Sequence, residues 1–231
     1  MWDNPRLLNA AAGFLVGLAV LAFAAAGAYW LLHSPLFPVR TIELRTVLHQ
    51  APHTAVATTL ANVGRGNFFA APIEELRGAL ERLPWVRRAA VRRVWPDALE
   101  VSIEEHVALA RWAAGGLVNV EGERFAAEAP TPMPLFSGPA GAEAELARRY
   151  ARFSQLLAPL ASPIERLTLS ARLAWELKLA NGLELKLGRD AQAAEAKLAR
   201  FVAAYEANEL SPLGAVVDLR YPNGFSVRVK G

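Results

Sequence analysis

The chain has no cysteine among its 231 residues, and this absence excludes several kinds of chemistry. Thiol nucleophiles, cysteine-bearing zinc sites and disulfide frameworks are all ruled out. Charge of one sign is not in large excess either, since 25 Lys and Arg residues oppose 22 Asp and Glu residues. Neither half of the sequence forms a basic arm, so nucleic-acid binding through a charged tail is disfavoured.

Recognisable catalytic motifs are also lacking, because the sequence has no Gly-rich phosphate loop, no G-x-S-x-G and no helical H-E-x-x-H. His49 and His53 have the spacing of a metal-binding pair, but Pro52 lies between them and no third ligand is nearby. Glu104 and Glu105 are adjacent in a predicted strand, where they point to opposite faces and are expected to be solvated. The sequence therefore predicts a non-enzymatic protein without cofactor, metal or small-molecule substrate.

One long hydrophobic run is present at the N-terminus. Residues 7–32 contain no Asp, Glu, Lys or Arg. Residues 10–32 alone would form about 34 Å of helix, enough to cross the hydrocarbon core of a bilayer. Tyr29 and Trp30 stand where amphipathic aromatics favour the membrane–water interface, and Pro35 follows. We predict a short tail over residues 1–9 and a membrane-spanning helix over residues 10–32.

A cleaved signal peptide is the alternative interpretation of this run. Arg6 supplies a small charged region, and the small residues around Phe23 resemble a cleavage site. The run is longer than the apolar region of a typical signal peptide, which favours a retained anchor. Charges flank both ends, so the charge bias gives no orientation. A large downstream body is nevertheless compatible with export across the membrane.

A β-α-α-β-β unit is predicted after the anchor. Residues 39–47 read as a strand, residues 54–61 and 72–83 as helices, and residues 86–95 and 99–103 as two further strands. Such a unit lays two helices on one face of a three-stranded sheet. The arginines between residues 87 and 93 are expected to pair across strands with the glutamates of the next strand.

The remaining chain predicts a mixed α/β domain, which makes the whole protein α+β. Hairpin 117–125, helix 141–158, a strand from Ile164 and helix 191–206 follow in order, and residues 129–141 are expected to form a loop. Apolar residues at odd positions predict two hairpins with three-residue loops, over 180–182 and over 222–224. The second pairs Val217, Leu219 and Tyr221 with residues 225–229, with Gly224 left-handed.

Together these segments resemble the FtsQ/DivIB family of bacterial cell-division proteins over essentially the whole chain. The segments that carry the resemblance are Phe37-Pro38-Val39, Leu83-Pro84-Trp85-Val86, Val91-x-Arg93-x-Trp95-Pro96, Leu99-x-Val101, Leu117-Val118-Asn119 with Gly122 and Phe125, Leu187-Gly188-Arg189, and Val217-Asp218-Leu219-Arg220-Tyr221 with Asn223-Gly224. One departure is Glu105-His106-Val107, where the family often has a proline, and it bears on the position of the domain junction.

The resemblance implies an inner-membrane protein with a single span, a cytoplasmic tail and a periplasmic body at the division septum. It implies a POTRA domain over residues 37–106 and a C-terminal β domain over residues 113–231. Family members are non-catalytic scaffolds that bind single-span partners of the FtsB and FtsL type. Other division proteins are expected to use the POTRA domain.

The partner-binding residues are expected on the terminal hairpin. Its last strand would present unpaired backbone groups for strand addition, with Arg220, Ser226 and Arg228 facing outward and Phe225 and Val227 facing the core. Arg172, expected on a strand, is a second basic contact. The full predicted set is Arg172, Arg220, Tyr221, Asn223, Gly224, Phe225, Ser226, Val227 and Arg228.

A different POTRA-bearing envelope protein, acting in secretion or outer-membrane assembly, is the competing interpretation. An outer-membrane assembly factor would continue into many barrel strands, and none follow residue 229 in this sequence. This difference favours the cell-division scaffold.

Overall fold

In the computed structural model, which describes residues 5–63, 66–129, 131–207, 215–221 and 224–229, the charge-free N-terminal segment forms a single helix, α1 (Pro5–His33). Its stretch Asn9–Leu32 is long and apolar enough to cross a membrane, and its described side chains are exposed in the isolated chain. The chain divides into two compact units, Met1–Glu105 and His106–Gly231.

In the first unit, α1 is followed by elements in the predicted β-α-α-β-β order. Its elements are β1 (Thr41–Leu44), α2 (His53–Val63), α3 (Ile73–Glu81), β2 (Val86–Val94) and β3 (Ala98–Glu105). The three strands form one sheet in the order β1-β3-β2, with β1 parallel and β2 antiparallel to β3. Leu76 and Leu80, one turn apart on α3, are fully buried with Leu99 and Val101, which alternate along β3. The predicted turn at residues 64 and 65 lies outside the described residues.

Two of the four arginines of β2 pair across the sheet, as the sequence predicts. The Arg87 guanidinium lies 2.6 Å from the Glu104 carboxylate, and the Arg92 guanidinium lies 2.7 Å from that of Glu100. Arg93 differs, because it donates hydrogen bonds to backbone carbonyls of residues 68, 69 and 71. Arg87, Arg92 and Arg93 therefore bind groups within their own unit.

Glu105 is not the solvated side chain that the sequence suggests. Its carboxylate accepts backbone N–H groups from His49 and Gln50, each at 2.9 Å, and from Ala51. Burial opposes ionisation of this carboxyl, but the three N–H donors outweigh burial, and the net effect is to lower the pKa of Glu105. Glu105 thus anchors the segment between β1 and α2.

Replacing Glu105 by glutamine should destabilise the first unit by about 1–3 kcal/mol at neutral pH, because an amide satisfies these N–H groups less well than a carboxylate. A carboxyl whose pKa is lower in the folded state stabilises the fold above its unfolded pKa, and this contribution disappears as the pH falls through the folded pKa. The difference between wild type and Glu105→Gln should therefore shrink below about pH 4. Urea unfolding at several pH values measures it, with Glu43→Gln, at an exposed position of β1, as control. An unchanged difference at low pH would contradict this role.

The second unit is built around one nine-stranded sheet with two helices. Its order is β12-β11-β10-β9-β8-β7-β4-β5-β6. The strands are β4 (Ala108–Trp112), β5 (Leu117–Asn119), β6 (Arg124–Phe125), β7 (Leu135–Ser137), β8 (Ile164–Leu169), β9 (Trp175–Leu179), β10 (Glu184–Gly188), β11 (Ala215–Asp218) and β12 (Ser226–Val229), and the helices are α4 (Glu143–Leu157) and α5 (Ala191–Ala207).

One face of this sheet carries the core. Buried side chains of α4 and α5, among them Phe153, Leu198 and Phe201, pack with Phe136 and with the odd-numbered residues of β9 to β11. From β8 they pack with Ile164, Leu167 and Leu169, because a register shift between Ile164 and Arg166 places Ile164 on the same face. The even-numbered residues of β9 to β11, with Arg166 and Thr168 of β8, lie on the opposite face, where they are mostly charged or polar and at least partly exposed. The alternation follows from the period of two in a strand.

Two strands of the second unit were not expected from the sequence. The segment predicted as a loop over residues 129–141 contains β7, and the predicted loop is wrong there: Phe136 is fully buried in the middle of the sheet. A three-residue strand between prolines gives no alternating pattern to recognise. The strand β4 lies between the two predicted domains, and it pairs with β5 and β7.

The hairpin of β9 and β10 has the predicted loop. Leu177 pairs with Leu185, and the Leu179 N–H donates to the Leu183 carbonyl at 2.9 Å, which closes residues 180–182. Gly182 has φ +85°, the left-handed conformation that the three-residue loop requires. The prediction that odd-numbered apolar residues pair across a three-residue loop is confirmed for this hairpin.

Candidate partner-binding surface

The terminal strand β12 lies at the edge of the nine-stranded sheet and pairs only with β11 among the described strands. The predicted register is wrong by two residues, since Val217 pairs with Val227 and Asp218 with Ser226. The connection therefore spans residues 219–225 instead of three residues. Gly224 does not have the predicted left-handed φ, because this longer connection does not require it.

The backbone groups at the open edge can be assigned from one hydrogen bond. The Leu219 N–H donates to the Lys186 carbonyl at 2.8 Å, so odd-numbered residues of β11 direct their backbone groups toward β10. Even-numbered residues of β11 then face β12, which makes Asp218–Ser226 a hydrogen-bonded pair. It follows that Ser226 and Arg228 bond inward, whereas Phe225 and Val227 present their N–H and C=O groups at the edge.

The apolar side chains of this strand are less buried than the sequence predicts. Phe225 is half-buried and packs edge to face on Phe201 of α5, with ring centroids 5.4 Å apart. Val227 is 46% exposed, so its predicted core position is wrong. The physical reason is its place on an edge strand, since no described strand lies on the outer side to cover it.

Arg220 is exposed but bound within the chain. Its guanidinium donates to the Asp218 carboxylate at 2.6 Å, and its backbone N–H donates to the same carboxylate at 3.0 Å. The hydrogen bonds from Arg220 lower the pKa of Asp218. Arg228, in contrast, is exposed and has no ion-pair partner among the described residues. Arg228 is thus the more available cation of the predicted pair.

Arg172 lies in the turn between β8 and β9, not on a strand as predicted. The Leu173 N–H donates to the Ser170 carbonyl at 2.8 Å and closes this turn. The turn and the beginning of β12 are at the same end of the sheet, because β8, β10 and β11 all run toward it. At one strand spacing per step, Arg172 is about 14–19 Å from β12. The structure therefore does not bring Arg172 into direct contact with the terminal strand.

The same end of the sheet carries basic residues that the sequence analysis missed. Arg189 follows β10, and Lys197 and Arg200 lie on α5. Lys197, Arg200, Leu219, Gly224 and Phe225 line a shallow cleft beside the terminal strand. A helix between two hairpins gives no sign in sequence that its basic residues adjoin the last strand, so only the fold reveals this cluster.

The remaining predicted contacts are distributed around the edge. Tyr221 is 56% exposed at the start of the connection, and Ser226 is exposed on the polar face. Asn223 lies outside the described residues. Within the part of the chain that the structure describes, no group of three or more His, Asp or Glu side chains is arranged to hold a metal ion. The surface offers backbone pairing and positive charge.

An apolar N-terminal helix, a β-α-α-β-β unit and a second unit with an open terminal strand define a POTRA-bearing protein with one candidate membrane span. Comparisons with family models agree with this class. Residues 37–106 match the model described as "POTRA domain, FtsQ-type", and residues 110–220 match "Cell division protein FtsQ/DivIB, C-terminal".

Curated relatives extend the similarity over nearly the full length. The chain is 40% identical to the cell division protein FtsQ of Burkholderia pseudomallei, covering 100% of this chain and 95% of the relative. It is 38% identical to FtsQ of Nitrosospira multiformis, covering 99% of each chain. It is 34% identical to FtsQ of Neisseria gonorrhoeae, covering 99% of this chain and 95% of the relative. The chain belongs to the FtsQ/DivIB family of cell-division proteins, which decides against the secretion alternative.

Proposed function

We propose that this protein is a non-catalytic scaffold of the divisome that binds single-span partners of the FtsB and FtsL type. The observation that carries the proposal is the edge position of β12, whose Phe225 and Val227 backbone groups face outward beside a basic surface. An extended partner segment would add to this edge as a tenth strand. Backbone pairing supplies affinity, and outward side chains select the partner.

The proposed topology places residues 1–9 in the cytoplasm, residues 10–32 in the inner membrane and the body in the periplasm at the septum. Residues 37–106 form the POTRA domain, through which further division proteins would bind. The C-terminal domain comprises the predicted residues 113–231 together with β4, which pairs with β5 and β7. The matches to FtsQ-type models and the apolar stretch Asn9–Leu32 support this arrangement.

The partner segment is expected to be acidic. Arg189, Lys197 and Arg200 are all near the end of the sheet where β12 begins, and Arg228 extends from the strand itself. Asp218, on the neighbouring strand β11, is already neutralised by Arg220. Electrostatic complementarity of this kind steers association and rejects partners of the wrong charge.

Replacing Arg228 by glutamate should weaken partner binding about tenfold, equivalent to about 1.4 kcal/mol, because it opposes an acidic segment with a like charge. Titration calorimetry of the full chain in nanodiscs with FtsB and FtsL measures the effect. Arg166→Glu is the matched control, since Arg166 is exposed on the same face of the sheet at β8, several strands away. Arg220→Glu is less suitable, because it removes the ion pair with Asp218.

If the Arg228→Glu variant bound FtsB and FtsL as tightly as the wild-type chain does, this result would contradict an acidic partner at this edge. Failure of the wild-type chain to bind FtsB and FtsL at all would contradict the scaffold function as proposed. Equal losses in Arg228→Glu and Arg166→Glu would show a general charge effect and would also contradict the local interface.

A further inference from the structure

Exposed aromatic side chains gather at one end of the first unit. Phe37 and Phe69 contact edge to face with centroids 5.4 Å apart, yet they are 38% and 40% exposed. Leu36 is 63% exposed, and Trp95, in the turn between β2 and β3, is 78% exposed. A group of exposed apolar side chains at one end of a unit favours an interaction surface there.

Asn67 ties this aromatic end to the end of α1. Its side-chain amide donates to the carbonyls of Leu31, at 2.9 Å, and Ser34, at 2.7 Å. The carbonyls at the end of a helix have no hydrogen-bond donor within the helix. Asn67 supplies that donor to the carbonyls of Leu31 and Ser34. The Asn67 side-chain oxygen also accepts the Phe69 N–H at 2.8 Å. Phe69 is therefore held close to the point where the apolar stretch Asn9–Leu32 ends.

Arg93 fixes the same loop to the sheet. Its guanidinium donates to the carbonyls of Phe68, at 2.7 Å, and Ala71, at 2.9 Å. Trp95 follows two residues later, in a turn whose Asp97 carbonyl accepts the N–H of Arg40 at 2.8 Å. The Trp95 turn and the Phe69 loop are thus at the end of the sheet that adjoins α1.

We infer that Phe37, Phe69 and Trp95 insert into the headgroup region of the same bilayer that α1 crosses, and so dock the first unit on the membrane. The inference rests on the proposed membrane anchoring of α1. A bilayer is the occupant that the geometry favours, because Leu31 lies at the hydrocarbon boundary and Asn67 keeps Phe69 at nearly the same depth. Aromatic side chains at this depth favour the membrane–water interface, where Tyr29 and Trp30 of α1 also lie.

The absence of cysteine permits single-site labelling of the full chain. A fluorophore at Ala70→Cys, which leaves Phe69 intact, is measured in vesicles of phosphatidylethanolamine and phosphatidylglycerol containing nitroxide lipids. Val47→Cys is the control at the opposite end of the sheet, where Val47 is 74% exposed. Phe23→Cys, in the middle of α1, reports on the span itself.

Nitroxide lipids should quench the Ala70 site at least about threefold more strongly than the Val47 site, because interfacial groups lie within about 10 Å of the acyl boundary. Adding Phe69→Asp and Trp95→Asp should reduce the Ala70 signal to that of Val47 and leave Phe23 quenched. Circular dichroism verifies that the variants are folded. Trp95→Asp alone, at the most exposed of the three aromatic positions, should give a partial loss of quenching at the Ala70 site.

Equal quenching at Ala70 and Val47, with Phe23 quenched, would overturn the docking while the anchor stands. Strong quenching at Ala70 that survives the aspartate substitutions would also overturn it, since the aromatic side chains would not hold the unit. An unquenched Phe23 site would overturn the anchor, and the docking with it.

Discussion

Replacing Val227 by proline should reduce the proposed binding of FtsB and FtsL by at least about a hundredfold, equivalent to about 2.7 kcal/mol. The Val227 N–H faces the open edge, so proline removes a donor that an added strand would use and places its ring where that strand would lie. The fold should survive, because proline is tolerated on edge strands where the N–H faces solvent. Calorimetry on the full chain in nanodiscs measures the loss.

Two controls separate the backbone effect from the side-chain effect. Val227→Ala keeps the N–H and should bind within a few fold of wild type. Arg228→Pro removes an N–H that bonds inward to β11, so it should loosen the terminal strand itself. A folded Val227→Pro variant that binds like wild type would place the interface elsewhere, with the POTRA sheet as the next surface to test.

The second large effect is expected at Gly122, in the turn between β5 and β6. A Cβ at this position would lie 2.3 Å from the Ala144 Cα and 2.8 Å from the Ala144 Cβ in the first turn of α4. Gly122 also has φ +82°, a backbone conformation that residues other than glycine rarely adopt. Backbone strain and the forced displacement of α4 together should make Gly122→Ala cost about 3–5 kcal/mol.

Gly115→Ala is the matched control for this substitution. Gly115 has φ +97°, but a Cβ there would meet nothing within 4 Å. It should cost only the conformational strain, about 1–2 kcal/mol. Differential scanning calorimetry of the full chain measures both, with 1 kcal/mol corresponding to about 2–4 °C in a protein of this size. Equal losses for both variants would show that the contact with Ala144 carries no extra cost.

Local periodicity predicted the elements whose partners are adjacent in sequence. The spacing of Leu76 and Leu80 identified the buried face of α3, and the alternation of Leu99 and Val101 identified β3. The loop that joins β9 and β10 followed from the odd positions of Leu177 and Leu185. A three-residue loop keeps both leucines on the same face of the sheet and also places a glycine at the position that needs a left-handed φ.

The terminal hairpin shows what such periodicity leaves undetermined. A shift of two residues keeps every odd-numbered residue on the same face, so pairing Val217 with Val227 or with residue 229 satisfies the pattern equally well. The structure places β12 at the edge of its sheet. Which of its N–H groups face outward depends on the register, and so required the structure.

Partner choice over long sequence separation was not predictable either. Arg93 has the same residue type as Arg92 and is adjacent to it, yet Arg92 pairs with Glu100 while Arg93 binds carbonyls more than twenty residues away. Glu105 likewise binds N–H groups of residues 49–51. Side chains of this kind find their partners only after the elements have packed, so sequence spacing carries no sign of the choice.

The two edges of the nine-stranded sheet differ in how readily they could recruit another chain. The edge opposite β12 is β6, which has only two residues, Arg124 and Phe125. Arg124 also folds back onto the carbonyls of Ala114 and Gly115, which occupies its guanidinium. So short an edge offers too few backbone groups to nucleate unwanted sheet growth. Among the described strands of the nine-stranded sheet, self-association by edge pairing is thereby restricted to β12, where occupancy by the correct partner would also protect this sheet from aggregation.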